Sequence, residues 1–433
     1  MNYFNQSIEV LAKEKAACVA ELNKLAGQGL SLDLSRGKPS KLQLEVSMEM
    51  LDTLNHTSDL LAENGQDCRN YGGLDGIPEA KKLLADMIDT TPDHILVGGN
   101  SSLTLMFQLM NHAMTHGIMG STPWMQVENR KFLCPVPGYD RHFAMAAHFG
   151  FELIPVAMGE DGPDMDTVER LVASDDSIKG IWCVPKYQNP TGIVFSDVVV
   201  KRFGALTPAA KDFRIFWDNA YCVHAFDGEN AQILDIISEC EKAGNADMVY
   251  EFCSTSKITF PGSGISALAA SAANLEDVKG FLKFATIGPD KMNQLMHARY
   301  FENKEGILHH MQKHAKIMAP KFEAAYRILE QTLGDNGIAS WTYAKGGYFF
   351  SYQTMDGCAS RIVAMCKAYG VKFTPAGSTH PMGMDISDSD IRIAPSFATV
   401  EEISTAVQVL SLCTKIVSLE KLMAAENEDS VVA

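Results

Sequence analysis

The sequence predicts an α/β protein: a mainly parallel sheet of seven strands with helices on both faces, followed by a smaller α+β part. Seven short apolar runs alternate with helix-like stretches between residues 94 and 271, at 94–97, 131–134, 151–156, 178–184, 213–217, 248–253 and 265–270. Such alternation builds parallel sheets, because each crossover helix returns the chain to the same edge direction. Beyond about residue 300 the alternation gives way to a long helical stretch and a β-rich segment at 346–352. At 433 residues the chain is long enough for two domains. We expect an N-terminal arm and part of the small domain over 1–60, a large domain over 61–304, and the rest of the small domain over 305–433.

Taken in order, Ile8, Leu11, Ala12, Val19, Leu22 and Leu25 recur at helical spacing over about 7–27, and Gly27 and Gly29 break the pattern. Leu32-Asp33-Leu34 alternates as a short strand and runs into Ser35-Arg36-Gly37-Lys38-Pro39, two cations around a glycine. A surface turn and a loop whose backbone approaches a ligand both fit, since Gly37 permits close approach. Tyr71-Gly72-Gly73-Leu74-Asp75-Gly76 is a glycine-rich turn, and Pro78 suits the first position of the helix after it. The strand at 94–97 is followed by Gly98-Gly99-Asn100-Ser101-Ser102 and an apolar helix over 103–115. Strand, glycine turn and helix N-terminus make a phosphate site, because free N–H groups and the positive end of the dipole face the anion. An ordinary cap by Asn100 or Ser101 is the plain alternative. The turn is neither GxGxxG nor a Walker loop, so neither a dinucleotide nor an NTP is indicated.

The later strands end in polar clusters: Pro137-Gly138-Tyr139, Asn189-Pro190-Thr191-Gly192, Asp218-Asn219-Ala220-Tyr221 and Ser254-Thr255-Ser256-Lys257. Open α/β sheets bind ligands at the carboxyl ends of their strands, which is where all four fall. Lys257 follows three hydroxyls and precedes a Pro-Gly turn. A lysine desolvated there loses part of its basicity, and only the free amine attacks a carbonyl. The hydroxyls are suited to a phosphate. Past residue 300, His309, His310 and His314 lie in the long helical stretch. No third ligand type clusters with them, so they read as solvated helix positions and no metal is expected. A helix at about 358–369, a turn at 375–378 and a strand at 390–394 containing Arg392 follow, and an acidic tail closes the chain over 426–430.

Charge and cysteine usage narrow the functional classes. The formal charge is 37 − 53 = −16 and the pI is near 5.2. That excludes a broad basic face for nucleic acid or anionic membrane. None of the ten cysteines forms a CxxC pair, so they read as buried, reduced thiols rather than as a disulfide frame or zinc site. With no signal-like N-terminus and no uninterrupted apolar run near the ~20 residues of a membrane span, a cytosolic protein is expected.

On the four strand-end clusters, the glycine-serine turn and Arg392, the sequence resembles the class I aminotransferases, whose large fold carries pyridoxal phosphate on a lysine. The resemblance runs from about residue 30 to 415. It implies that Lys257 bonds the cofactor and later moves the substrate's α-proton, and that Asp218 pairs with the pyridine nitrogen. Asn189 and Tyr221 would hydrogen-bond the ring's phenolic oxygen, and Tyr139 would stack on the ring face. Asn100, Ser101, Ser102, Ser254 and Ser256 would hold the phosphate, joined by Tyr71 from a second subunit of a homodimer with composite sites. Arg392 would grip the substrate's α-carboxylate, with Gly37 lining the same pocket.

The resemblance leads most closely to a distinct branch of aspartate aminotransferases, carried by Leu-Ser-Arg-Gly-Lys-Pro at 34–39 and Pro-Lys-Tyr-Gln-Asn-Pro-Thr-Gly at 185–192. One departure marks the branch: many relatives hold the phosphate with an arginine where this chain has Gly264. Another cation, for which Lys38 is a candidate, or the helix dipole would serve instead, or the phosphate is less completely neutralised. With 2-oxoglutarate as acceptor, the distal carboxylate of the substrate needs its own cation, and Arg36 and Arg141 are the candidates. A transaminase for aromatic, kynurenine-like or 2-aminoadipate substrates is the alternative, with walls around Tyr139 and Tyr348. A lyase, a cofactor-sensing transcription regulator and an inactive relative are the remaining classes.

Overall fold

The computed structural model describes residues 1–27 and 29–432, with side chains as far as residue 426. The tail expected over 426–430 therefore lies, beyond Glu426, outside the described side chains. Helix α1 (Ile8–Ala26) leads through β1 (Leu32–Asp33) and α2 (Lys41–Glu45) to α3 (Pro78–Met87). Strands and helices then alternate: β2 (Ile95–Val97), α4 (Ser102–His116), β3 (Lys131–Val136), α5 (Asp140–His148), β4 (Glu152–Ala157) and α6 (Met165–Ser174). The series continues with β5 (Ile178–Cys183), α7 (Asp197–Gly204), β6 (Arg214–Asp218), α8 (Ile236–Lys242), β7 (Val249–Ser254) and β8 (Ser266–Ala269). Three helices follow, α9 (Ala272–Ala285), α10 (Lys291–Phe301) and α11 (Lys304–Leu333). The chain ends through β9 (Ala339–Trp341), β10 (Phe350–Thr354), α12 (Ala359–Ala368), β11 (Val371–Lys372), β12 (Asp390–Ile393) and α13 (Val400–Val432).

All seven expected strands join one sheet, in the order β2-β8-β7-β6-β5-β3-β4. Only β8 runs against the others, pairing antiparallel with both β2 and β7. The runs are apolar throughout because both faces are covered. Successive residues point to opposite sides, so Leu133 and Ile215 pack in one core while their neighbours Phe132 and Phe216 pack in the other. A third core lies outside this sheet. It joins Leu11 and Leu22 of α1, Met318 and Phe322 of α11, Phe350 and Tyr352 of β10, and Val407 and Leu410 of α13.

Helix α11 reaches across, with Ile307 and Met311 in the first core and Met318 onward in the third. Strands β9, β10 and β12 form a three-stranded antiparallel sheet, and β1 pairs with β11. The β-rich stretch starts later than residue 346. Gly346 and Gly347 are pressed against Tyr187, so close that a Cβ at either would fall within 2.8 Å of that residue, and the strand begins at Phe350. Over Val400–Glu426, α13 is long and apolar enough to span a membrane by composition, but most of it is buried against α1 and α11. All ten cysteines are buried and free.

Candidate active site

The parallel strands deliver their polar ends to one cavity of about 500 Å³. Its walls include Lys257, Asp218, Tyr221, Tyr139, Asn189 and Arg392, together with Gly37, Arg36 and Arg141 near the mouth. These nine come from six separate stretches of chain. Gly37 is there by necessity: a Cβ would lie 2.2 Å from the Phe349 ring.

Lys257 follows β7 on a tightly bonded turn. Thr255 Oγ1 accepts from the Ile265 amide at 3.0 Å, and the Thr259 hydroxyl lies 2.9 Å from His297 Nε2. The Lys257 carbonyl accepts from the Tyr348 hydroxyl at 3.3 Å and lies 3.4 Å from His224 Nε2. Gln43 donates to the same Tyr348 hydroxyl at 2.9 Å. The next carbonyl, of Ile258, lies 2.9 Å from His310 Nε2. The lysine's amine is therefore aimed by a backbone fixed on both sides. Burial lowers the Lys257 pKa, and the nearby Asp218 charge opposes that effect without cancelling it. Its Nζ stands 4.9 Å from the Tyr221 ring centroid.

Asp218 ends β6 in the middle of the sheet. One carboxylate oxygen is 3.0 Å from His142 Nε2; the other, Oδ1, is buried with no partner among the described residues. His142 stacks on Trp182, with ring centroids 4.4 Å apart and planes 9° from parallel. Tyr139, which precedes α5, packs edge-on to the same histidine at 4.9 Å, and burial pushes its phenol up to about 12. Tyr221 is buried, which raises its phenol well above the usual value. Arg392 is only 7% exposed. Its Nη1 donates to Asp140 Oδ1 at 2.9 Å and to Asn189 Oδ1 at 3.3 Å. That leaves Asn189 Nδ2 without a protein partner among the described residues.

The remaining expected residues do not line this cavity. Ser254 donates to Ser256 at 3.2 Å, and Ser256 donates to the Asn100 carbonyl at 3.1 Å. This chain of bonds ties the Lys257 turn to the start of α4, whose cap residue Ser101 makes no capping hydrogen bond. Ser102 is the first residue of that helix. Tyr71 is 82% exposed and lines no part of the cavity.

Gly264 has no room for an arginine, because a Cβ would come within 2.8 Å of Thr255 Oγ1. Lys38 stands with its Nζ 3.8 Å from the Phe397 ring centroid and is absent from the cavity wall.

Two sequence expectations need correction. His310 and His314 are buried rather than solvated, at 3% and 2% exposure, and burial holds their pKa values down at about 4 and about 3. Helical periodicity could not show that this face of α11 packs under the Lys257 turn. Tyr348, expected in a substrate wall, is instead buried behind Lys257. His142, Asp140 and His224 were missed. The one available signal was His142, a single helical turn after Tyr139.

Comparison with known proteins agrees with this geometry. The family model described as aspartate amino-transferase matches residues 6–426. An aspartate aminotransferase of Corynebacterium glutamicum is 43% identical over 401 residues, covering 92% of each chain. The crystal structure of an aspartate transaminase from the same organism superposes with a TM-score of 0.95 at 41% identity, covering 98% of this chain and 99% of that one. An α-aminoadipate aminotransferase from Thermus thermophilus shares the fold, with a TM-score of 0.73 at 19% identity over 94% of this chain and 95% of its own. With a family match over residues 6–426 and strand ends converging on one lysine, this chain belongs to the aspartate aminotransferase family and is a transaminase.

Proposed function

We propose that the chain transfers the amino group of L-aspartate to 2-oxoglutarate, using pyridoxal 5′-phosphate carried on Lys257. The observation that carries this reading is the pairing of a desolvated amine with a buried carboxylate oxygen that has no partner, in one cavity. A pyridinium N–H is the kind of donor Asp218 Oδ1 lacks. The uncapped N-terminus of α4, with Asn100, Ser101, Ser102, Ser254 and Ser256 beside it, suits a phosphate through its N–H groups and dipole. The residues therefore fit the cofactor. When bound, it supplies the electron sink that makes the substrate's α-proton removable.

The rest falls to the chain. His142 orients Asp218 through their 3.0 Å contact. Asn189 Nδ2 and the Tyr221 hydroxyl are free to hydrogen-bond the ring's phenolic oxygen. Tyr139 offers a flat face to the ring. The Lys257 amine, made less basic by burial, takes the proton from the α-carbon and would deliver it to C4′ of the cofactor. Arg392 binds the α-carboxylate, a task suited to a planar guanidinium.

The dicarboxylate choice is supported by Arg36 and Arg141, two exposed cations at the mouth that form no ion pair among the described residues, and by the identity to an aspartate aminotransferase. We extend the proposal to a homodimer in which Tyr71 serves the neighbouring subunit's phosphate. Its 82% exposure is unusual for so large an aromatic. The expected two-part division, with its boundary near residue 304, is supported by the separate core around α1, α11, β10 and α13.

The test is the visible spectrum of the purified, cofactor-loaded protein during addition of single amino acids without an oxo acid. Aspartate and glutamate should each bleach the yellow absorption. Bleaching by aromatic amino acids or 2-aminoadipate alone would replace the substrate assignment. No yellow species at all would remove the role given to Lys257.

A further inference from the structure

A guanidinium can meet a carboxylate on its end edge, through Nη1 and Nη2, or on its side edge, through Nε and Nη2. In Arg392 the Nε is buried and has no partner among the described residues. The end edge is the one already turned to an acid: Nη1 donates to a carboxylate, Asp140 Oδ1, at 2.9 Å. Asp140 is the first residue of α5, its side chain is 38% exposed, and it makes no other side-chain hydrogen bond among the described residues. Nothing else fastens that carboxylate, and both partners face the cavity.

We infer that Asp140 is a displaceable placeholder: its carboxylate sits on the end of Arg392 until the α-carboxylate of an amino or oxo acid takes its place. The inference rests on the reading of Arg392 as the α-carboxylate site. Its physical logic is an exchange of like for like. Without Asp140 the buried guanidinium would have no counter-charge, and Nη1 would be held only by its 3.3 Å bond to Asn189 Oδ1. Asp140 supplies that charge, and because it is partly exposed its hold is weak enough to release. The substrate's carboxylate then inherits a preformed, correctly aimed arginine. The cost is a reduced affinity, since every carboxylate that binds must first displace one already there. Asp140 is thus a residue that sets KM without taking part in proton transfer.

The test uses the cofactor-loaded enzyme and two unreactive carboxylates, succinate and hydrocinnamate, titrated by calorimetry. Together they cover a dicarboxylate and an aromatic side chain. Asp140→Asn and Asp140→Ala should each bind the better of the two about three- to fivefold more tightly than wild type. Asp140→Glu, which keeps the charge, should stay near the wild-type value. In steady state the two neutral variants should show a lower KM for the amino donor with kcat little changed. Equal or weaker binding in both neutral variants, alongside lost binding in Arg392→Gln, would make Asp140 a permanent support and overturn the inference while leaving Arg392 in its role. Undiminished binding in Arg392→Gln would remove the α-carboxylate site itself and take the inference with it. A crystal structure with the carboxylate bound gives an independent reading: Asp140 should have left Nη1, and a retained pair would overturn the placeholder.

Discussion

Asp218 Oδ1 is the most informative single atom in the site, because a buried carboxylate oxygen without a donor is costly unless something outside the chain satisfies it. Asp218→Asn keeps the shape and removes the charge. We predict a loss of roughly 10²–10³-fold in kcat/KM, about 3–4 kcal/mol of transition-state stabilisation. The yellow absorption should persist, since Lys257 is untouched; a variant within threefold of wild type would refute the pairing. A second carboxyl makes a different prediction. Glu251 lies inside β7, held by a 2.9 Å hydrogen bond from Asn219, and burial pushes it up to about 8 from 4.5. Between those values the folded chain keeps a proton that the unfolded chain has released, so stability falls as pH rises from about 4.5 to about 8. Glu251→Gln carries no such proton. Its urea midpoint should match wild type near pH 4.5 and exceed it increasingly toward pH 8, by on the order of a few kcal/mol. Parallel pH profiles would show that Glu251 titrates normally. Lys257 and Asp218 were legible in the sequence because each ends an apolar run at a strand terminus. Asp140 and His142 were not, because their meaning depends on partners 252 and 76 residues away.

At the scale of elements, the strands could be read because a buried parallel strand is a continuous apolar run, whatever surrounds it. Helix α11 could be placed by its periodicity, but not the packing that buries His310 and His314 beneath the Lys257 turn. That turn also leaves no room for a side chain at Gly264, where the resemblance leads one to expect an arginine. The hydroxyls of Thr255 and Thr259 lie 3.2 Å apart, and both approach His297 Nε2. His297 Nδ1 lies 2.8 Å from the Asn293 carbonyl and is its natural donor, which leaves Nε2 to accept from the hydroxyls. Burial holds that imidazole near 4, hence neutral at physiological pH. The cluster fills the volume a side chain at 264 would need. Gly264→Arg, the apparent restoration of the family's phosphate ligand, should therefore push Thr255 aside and disturb the turn that aims Lys257. We predict weaker cofactor retention and a lower melting temperature than wild type, by several degrees. Tighter retention, measured by dialysis of the loaded protein, would mean that the turn yields and that only the charge was missing.

At the scale of the whole molecule, the cavity gathers in one chain the residues proposed to face the ring and the substrate, while Tyr71 stands far from burial on a loop of its own. That loop is not loose: Lys291, at the start of α10, donates to the Gly72 carbonyl at 2.7 Å, and Gly288 packs so tightly on Gly72 that a Cβ would meet its carbonyl at 2.6 Å. A rigidly held but exposed aromatic is what a composite site requires, since it must present a fixed hydroxyl to a neighbour. Complementation distinguishes a role across subunits from one within the chain. Tyr71→Ala and Lys257→Ala homodimers are mixed, dissociated and reassociated. If Tyr71 acts across the interface, each mixed dimer contains one site with both lesions and one with neither. Random reassociation then puts half the dimers in the mixed form, and activity should rise above the parents toward about a quarter of wild type. If Tyr71 acts within its own chain, each mixed dimer has one site lacking the tyrosine and one lacking the lysine. Activity would then never exceed the average of the parents, and the composite site would have to be abandoned while the chemistry of Lys257, Asp218 and Arg392 stood unchanged.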